Sequence, residues 1–214
     1  MTITPPTARR QETRARLFEA AAEVFAEEGV QGASVEAICS RAGFSRGAFY
    51  SNFESKEQLF LTLLEREFEQ RALELAARGA ELEPELRRRE GSISPDEAAR
   101  YVADFLAPSH DQTTWFALET EFLLLAMRDP SIAPEHHAFW DRFYASIAGL
   151  VEQILAAAGR RFTLPVAQAL PALSSVYERA LRRAALGGQT LEAASDELGE
   201  RITELLFALT EPVA

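Results

Sequence analysis

The sequence predicts an all-α protein, a small N-terminal helix-turn-helix head followed by a larger helical body. Three observations predict it. Apolar residues recur at three- and four-residue spacing along most of the chain. Serine, proline and glycine fall where those stripes start and stop. No segment alternates apolar and polar residues with period two, so no sheet is expected.

From Ala8 to Glu28, Leu17, Phe18, Ala21, Val24 and Phe25 line one face of an amphipathic helix, which Gly29 ends. Ser34 is placed to cap a second, short helix through Ala42, with Glu36 in its first turn, and Gly43 breaks it. Ser45 caps a third helix, Arg46 to Phe53, whose Phe49 and Phe53 at i, i+4 face inward. Ser55-Lys56-Glu57-Gln58 is a capping box opening a long fourth helix with the stripe Leu59, Phe60, Leu63, Leu64 and Phe68. The charged stretch from Ala80 to Ser94, with Pro84 and Gly91, reads as a loop. Further helices are expected over Pro95–Leu106, from Asp111 or Thr113 to Arg128, and over Pro134–Ala158. Two more, Pro165–Leu186 and Leu191–Leu209, flank Gly187-Gly188. The head is assigned to residues 1–55 and the body to 56–214.

Bulk composition narrows the function classes. With 47% hydrophobic residues the chain can bury a core, yet it has neither an apolar run of membrane-span length nor a secretory leader, so a cytoplasmic protein with no membrane partner is expected. The single cysteine, Cys39, excludes an internal disulfide; on a helix that must pack, it reads as a small buried hydrophobe rather than a redox sensor. A net charge of -11 argues against a polyanionic partner until its distribution is considered. Residues 1 to 64 carry seven basic side chains (Arg9, Arg10, Arg14, Arg16, Arg41, Arg46 and Lys56) against eight acidic ones, so the acidity belongs to the body. Four of these cations fall within the first sixteen residues, where they read either as an arm near a polyanion or as a solvated tail.

The unit from Ser34 to Phe53 has the form that lays a second helix in the major groove of DNA while the first crosses the backbone. Eight residues make about 12 Å of helix, matching a groove about 12 Å wide. With Phe49 and Phe53 turned inward, Arg46, Gly47, Tyr50 and Ser51 face out. Arginine offers guanine a bidentate fork, glycine admits a close backbone approach, and the tyrosine hydroxyl reaches for phosphate. Ser34 and Ser45 sit at helix N-termini, whose amides favour phosphate.

These residues resemble a family. Ser34-Val35-Glu36-Ala37-Ile38 followed by Ala42-Gly43-Phe44-Ser45-Arg46-Gly47-Ala48-Phe49-Tyr50-Ser51-Asn52-Phe53-Glu54-Ser55-Lys56-Glu57-Gln58-Leu59 is similar to the signature of tetracycline-repressor (TetR) regulators. The resemblance spans about Arg10 to Leu64. It implies a ligand-responsive transcription repressor: a homodimer of all-helical subunits that binds palindromic operator DNA through its heads and a small-molecule effector in a body cavity. It places Arg46, Gly47 and Ser51 on bases and Ser34, Ser45, Tyr50, Asn52 and Lys56 on phosphates. Asn52 departs from the histidine or tyrosine common at its position. Lys56 is the chain's only lysine and falls where the motif expects one.

In the body, aromatic residues crowd the middle helices, and most must be core. For a pocket the expected lining is Tyr101, Phe105, Trp115, Phe116, Glu119, Phe122, His137 and Trp140, with Glu121 and Arg128 as further polar candidates. The stripe Leu173, Val176, Ala180 and Leu181 with Leu198, Ile202, Leu205, Leu206 and Leu209 is expected to bury the dimer interface as a four-helix bundle. His136 and His137 are adjacent and cannot share one metal as i, i+4 pairs do, so no metal site is expected. No nucleophile with its base and no glycine-rich phosphate loop is legible, so neither an enzyme nor a cofactor is expected. The rival class is a helical small-molecule carrier with a vestigial head; the outward Arg46-Gly47-Tyr50 set argues against it.

Overall fold

A computed structural model describes residues 8–89, 91, 93–107, 112–188, 191 and 195–213. They form nine helices and a short two-stranded ribbon: α1 (Ala8–Gly32), α2 (Val35–Ala42), α3 (Arg46–Tyr50), α4 (Lys56–Arg88), α5 (Pro95–Leu106), α6 (Gln112–Arg128), α7 (Ala133–Ala157), β1 (Arg160–Phe162), α8 (Val166–Gly187), α9 (Ser195–Leu209) and β2 (Thr210–Pro212). The chain divides into two compact units, Met1–Glu67 with Leu118–His136, and Phe68–Ala117 with His137–Ala214. The first unit thus holds the head expected over residues 1–55 together with the start of α4, most of α6 and the first turn of α7. The reason is apolar: Phe60 and Phe122 are both buried and meet at 5.1 Å between ring centroids.

The first unit is built around α1. Leu17, Val24, Phe25, Val30, Ile38, Phe49, Leu59, Phe60 and Leu64 are all essentially inaccessible, with Phe25 edge-on to Phe60 at 5.2 Å. Each such side chain contributes about 1.5–3 kcal/mol on burial, which holds the short helices α2 and α3 that would not form alone. Gly29 interrupts α1 at φ 74°, a left-handed conformation that side chains other than glycine adopt only with strain. One helical turn continues to Gly32 beyond the expected stop. The kink presents the Val30 amide to Glu121 of α6, whose Oε2 accepts it at 2.7 Å. A Cβ at position 29 would stand 2.8 Å from that same oxygen.

The second unit has three apolar clusters. Tyr177, Leu181, Leu191, Leu198 and Ile202 form one, Leu75, Ile147 and Leu170 the second, and Leu86, Ile93 and Ala98 the third. The last corrects the loop expected over Ala80–Ser94. Helix α4 runs through Pro84 to Arg88. Proline in a helix interior costs about 3 kcal/mol. Burial of Leu86, packing of Leu82 and an ion pair of Arg87 with Glu83 at 2.8 Å offset it. Helix α5 has the expected bounds, because Ser94 caps it through the Glu97 amide and Pro95 sits at its first turn.

The absence of a sheet is likewise corrected. β1 pairs antiparallel with β2, Arg161 opposite Glu211. Strands of three residues are too short to show a period. What pins them is Arg160, whose guanidinium lies 4.1 Å from the Phe207 ring centroid and donates to Thr210 Oγ1 at 2.8 Å.

The expected dimer stripe is partly spent inside the chain. Leu198 and Ile202 are 4% and 7% exposed, packed in one cluster with Val102, Leu106, Leu173, Val176 and Ala180. Helix α9 lies so close to α5 that a Cβ at Gly199 would be 2.5 Å from the Ala99 carbonyl. Leu173, Val176, Ala180, Leu205 and Leu206 remain half-buried, while Arg179, Arg182, Arg183, Glu197, Glu200 and Glu204 are exposed. Asp111, expected at the start of α6, lies outside the described residues, as do residues 192–194 before α9.

Candidate nucleic-acid interface

Helices α2 and α3 start on paired serine caps. Ser34 Oγ accepts from the Ala37 amide at 3.1 Å, and Ser45 Oγ from the Ala48 amide at 3.3 Å. Between them Gly43, at φ 70°, closes α2 by donating to Cys39 and Ser40 carbonyls. Phe49 and Phe53 are buried at 0% and 3%, and Phe18 meets Phe53 edge-on at 5.3 Å. The two aromatic anchors turn the opposite face of α3 outward, as the sequence predicts.

That face carries Arg46, Gly47, Tyr50 and Ser51, all exposed. The Arg46 guanidinium lies 2.8 Å from Glu36 Oε1 and 5.9 Å from the Tyr50 ring centroid. Hydrogen bonding to Tyr50, then the Glu36 charge, push the Arg46 pKa up. Around Gly47 there is open space, since an added Cβ would find only Ser45 Oγ, at 3.7 Å. The face thus offers one cation, one phenol and one hydroxyl around a bare patch of backbone.

Helix α3 is shorter than expected: its five helical residues end at Tyr50, with Ser51 as C-cap. Ser51 Oγ and Asn52 Nδ2 both donate to the Ala48 carbonyl at 2.8 Å, which draws the chain out of the helix. The carbonyls released there are taken by arginines of α1. Arg10 donates to Ser51 O at 3.3 Å and to Asn52 Oδ1 at 3.4 Å, and Arg14 to Asn52 O at 2.9 Å while lying over Phe53 at 4.4 Å. Arg16 does the same for α2, donating to Ala42 O at 2.8 Å and covering Phe44 at 4.7 Å. Three of the four cations read as an arm or tail therefore act as C-terminal caps. Burial, then Arg10 and Arg66, push the Arg14 pKa down.

Lys56, expected on a phosphate, is tied to the end of α1. Its ammonium donates to Val30, Gln31 and Ala33 carbonyls at 3.0, 3.0 and 2.8 Å. An ammonium has three protons, and three carbonyls at the end of α1 take them. The capping box is also altered: Ser55 Oγ accepts from the Gln58 amide at 3.1 Å, but Gln58 reaches back to the Glu54 amide at 2.7 Å rather than to Ser55.

The expected pocket lining is divided between the two units. Glu119 and Phe122 belong to the first unit, where Glu119 faces buried His136 at 3.5 Å. The others lie in the second unit. Tyr101 donates to Glu85 at 2.7 Å, and Phe105 and Phe116 fill different clusters. Trp140 stacks on Tyr144 at 5.5 Å, Trp115 is half-buried, and His137 is exposed. Glu121 holds Val30 instead of a ligand. A crevice does exist in the second unit, lined by Arg71, Glu74, Leu75, Arg78, Leu106 and Gln112, none of which the sequence reading selected. Charged residues on a long helix read as its solvated side, so nothing in the pattern marks them.

Residues 17–63 match the model of the family described as bacterial regulatory proteins, tetR family. Its head, residues 17–63, is that of TetR-family regulators. Among curated TetR relatives the chain is 33% identical to the HTH-type transcriptional regulator UidR of Escherichia coli K12 over 128 residues, 58% of this chain and 56% of that protein. It is 34% identical to the HTH-type transcriptional repressor AcnR of Corynebacterium diphtheriae over 125 residues, 58% of this chain and 53% of that one. The chain thus spans little more than half the length of these relatives. A crystal structure from Mesorhizobium loti, described as a TetR-family transcriptional regulator, shares the fold with a TM-score of 0.69 at 20% identity, covering 95% of this chain and 99% of that one. Among the described residues no three His, Cys, Asp or Glu side chains are grouped to hold a metal ion, and no helix is long and apolar enough to cross a membrane.

Proposed function

We propose that the protein is a ligand-responsive transcription repressor that binds a palindromic operator as a homodimer. The observation that carries this is the outer face of α3, where Arg46, Gly47 and Tyr50 stand exposed above two buried phenylalanines. The likeness of the head to TetR regulators supports the reading, and the likeness to AcnR, a transcriptional repressor, supports its sign. On DNA, Arg46, Gly47 and Ser51 would meet base edges, and Ser34, Ser45, Tyr50 and Asn52 the phosphates. Arg46 would exchange Glu36 for guanine, trading an exposed ion pair of little worth for a bidentate contact. Arg10, Arg14 and Arg16 support the interface by tying down the ends of both helices rather than by reaching for phosphate.

Two such heads held at one DNA turn, about 34–36 Å, would read the halves of a palindrome. A second copy would pair through the half-buried apolar residues and exposed charges of α8 and α9. Effector binding in the body would alter the separation of the heads and so the affinity for the operator. This reading makes the protein a cytoplasmic DNA-binding regulator and not an enzyme.

The test is titration of the full chain against the DNA upstream of its own gene at several salt concentrations. Sequence-specific binding with a steep salt dependence is expected. A shallow dependence, or equal affinity for unrelated DNA, overturns the proposal.

A further inference from the structure

Of the basic side chains in residues 1–64, Arg10, Arg14, Arg16, Arg41, Arg46 and Lys56 are all engaged within the head, and Arg9 is left. Its backbone carbonyl accepts from Thr13 Oγ1 at 2.9 Å, but its exposed guanidinium meets no hydrogen-bonding, ionic or ring partner among the described residues. The surroundings are positive as well. Residues 8–18 carry Arg9, Arg10, Arg14 and Arg16 against one acid, Glu12, and the first turn of α1 has no acidic residue. Arg66 of α4 joins them, its guanidinium 4.7 Å from the Phe18 ring centroid that Arg14 approaches at 5.5 Å. Carbonyls and rings hold Arg10, Arg14, Arg16 and Arg66 in place without neutralising them, and none of the four has an ion pair among the described residues. Burial first, then the charges of Arg10 and Arg66, push the Arg14 pKa down, so the excess is felt within the cluster.

The cluster borders the reading face. Arg16 donates to the Ala42 carbonyl, before α3, and Arg10 to the Ser51 carbonyl, after it, so the opening turns of α1 run alongside α3 in the opposite direction. Arg9 therefore stands at the C-terminal end of α3, where Tyr50 and Ser51 are exposed. From Arg9 to Arg16 is about 10 Å of helix axis, a length over which duplex DNA presents about six charges on its two strands. Cations drawn out along a helix in this way suit a linear polyanion rather than one small anion. A guanidinium with all its N–H groups unengaged can grip a phosphate by two parallel hydrogen bonds.

We infer that the opening turns of α1 form a second contact surface for DNA, on which Arg9 donates to a backbone phosphate while Arg10, Arg14 and Arg16 add positive field from fixed positions. This rests on the regulator reading and extends it to a residue outside the helix-turn-helix unit. The experiment titrates the full chain, Arg9→Gln and Arg9→Lys against the upstream duplex and an unrelated duplex by fluorescence anisotropy at several salt concentrations, with thermal unfolding alongside. Arg9→Gln is expected to weaken both duplexes several-fold and alike, keeping their ratio, with an unchanged thermal midpoint. The slope of log affinity against log salt should become shallower by about 0.9 for each Arg9 replaced, so by about 1.8 for a dimer on its operator. Arg9→Lys should keep the slope, because it keeps the charge. The inference is overturned if Arg9→Gln leaves the slope unchanged, if Arg9→Lys loses as much as Arg9→Gln, if only the upstream duplex loses affinity, or if the midpoint falls with the affinity. A chain that binds the upstream duplex specifically but keeps its slope in Arg9→Gln loses this contact alone, whereas one that binds neither duplex loses the regulator reading and this contact with it.

Discussion

With Glu36 at 2.8 Å and Tyr50 beside it, Arg46 has its charge partly answered before any nucleic acid arrives. Glu36→Gln should therefore tighten DNA binding several-fold, by freeing the guanidinium and removing an anion from the approach; unchanged or weaker binding in a fluorescence-anisotropy titration would refute this. Arg46→Ala should lower specific affinity roughly ten- to a hundredfold and relax base preference at one position per half-site. Gly47→Ala separates fold from recognition. Its Cβ enters open space, so the thermal midpoint should hold, whereas operator affinity should fall if backbone and DNA meet there. Lys56 behaves differently. Removing the ammonium leaves three carbonyls at the end of α1 without their donor, so Lys56→Ala should cost roughly 1–3 kcal/mol of stability, read by denaturant unfolding. A loss of DNA affinity at unchanged stability would return it to the phosphate role its position in the motif suggests.

At the scale of elements, the crossing of α5 and α9 is set by a missing side chain. Gly199→Ala would push a Cβ to 2.5 Å from Ala99 O and 2.9 Å from Ala103 Cβ, forcing the helices apart at a cost of roughly 1–3 kcal/mol. One turn on, Thr203 is 2% exposed and its hydroxyl has no partner among the described residues. Thr203→Val, equal in shape, should raise stability by about 1 kcal/mol, and a loss on unfolding would show that the hydroxyl is paired. The same elements show where sequence reasoning succeeds and where it stops. Ser34, Ser45 and Ser94 cap their helices as read, because a cap is a local bond between a side chain and an amide three residues on. Pro84 misled because its cost is local while the burial of Leu86 that outweighs it involves Ile93 and Ala98. Outward Arg46 followed from the spacing of Phe49 and Phe53. That Lys56 and Arg14 cap helix ends depends on partners 23 and 38 residues away, and no period or motif encodes such a distance. The same limit applies to the pocket: Phe105 and Phe116 sit eleven residues apart yet pack against different clusters, a division no local pattern shows.

For the whole molecule, charge is divided by function. Most of the -11 lies after residue 64, so the body should repel a polyanion and confine contact to the head. A plot of log affinity against log salt concentration should fall with a slope of about 0.9 per phosphate contacted, and replacing Tyr50, proposed to meet a phosphate, by Phe should leave that slope nearly unchanged because no cation is lost. The division into units has a practical corollary for anyone building hybrid regulators. Phe122 covers Phe60 and Glu121 satisfies the amide at the α1 kink, yet both come from a stretch more than fifty residues downstream of α3. A fragment cut after Glu67 would bare an aromatic surface to water and orphan that amide, so a graft transplanting the reading head onto a foreign body has to carry Leu118–His136 with it.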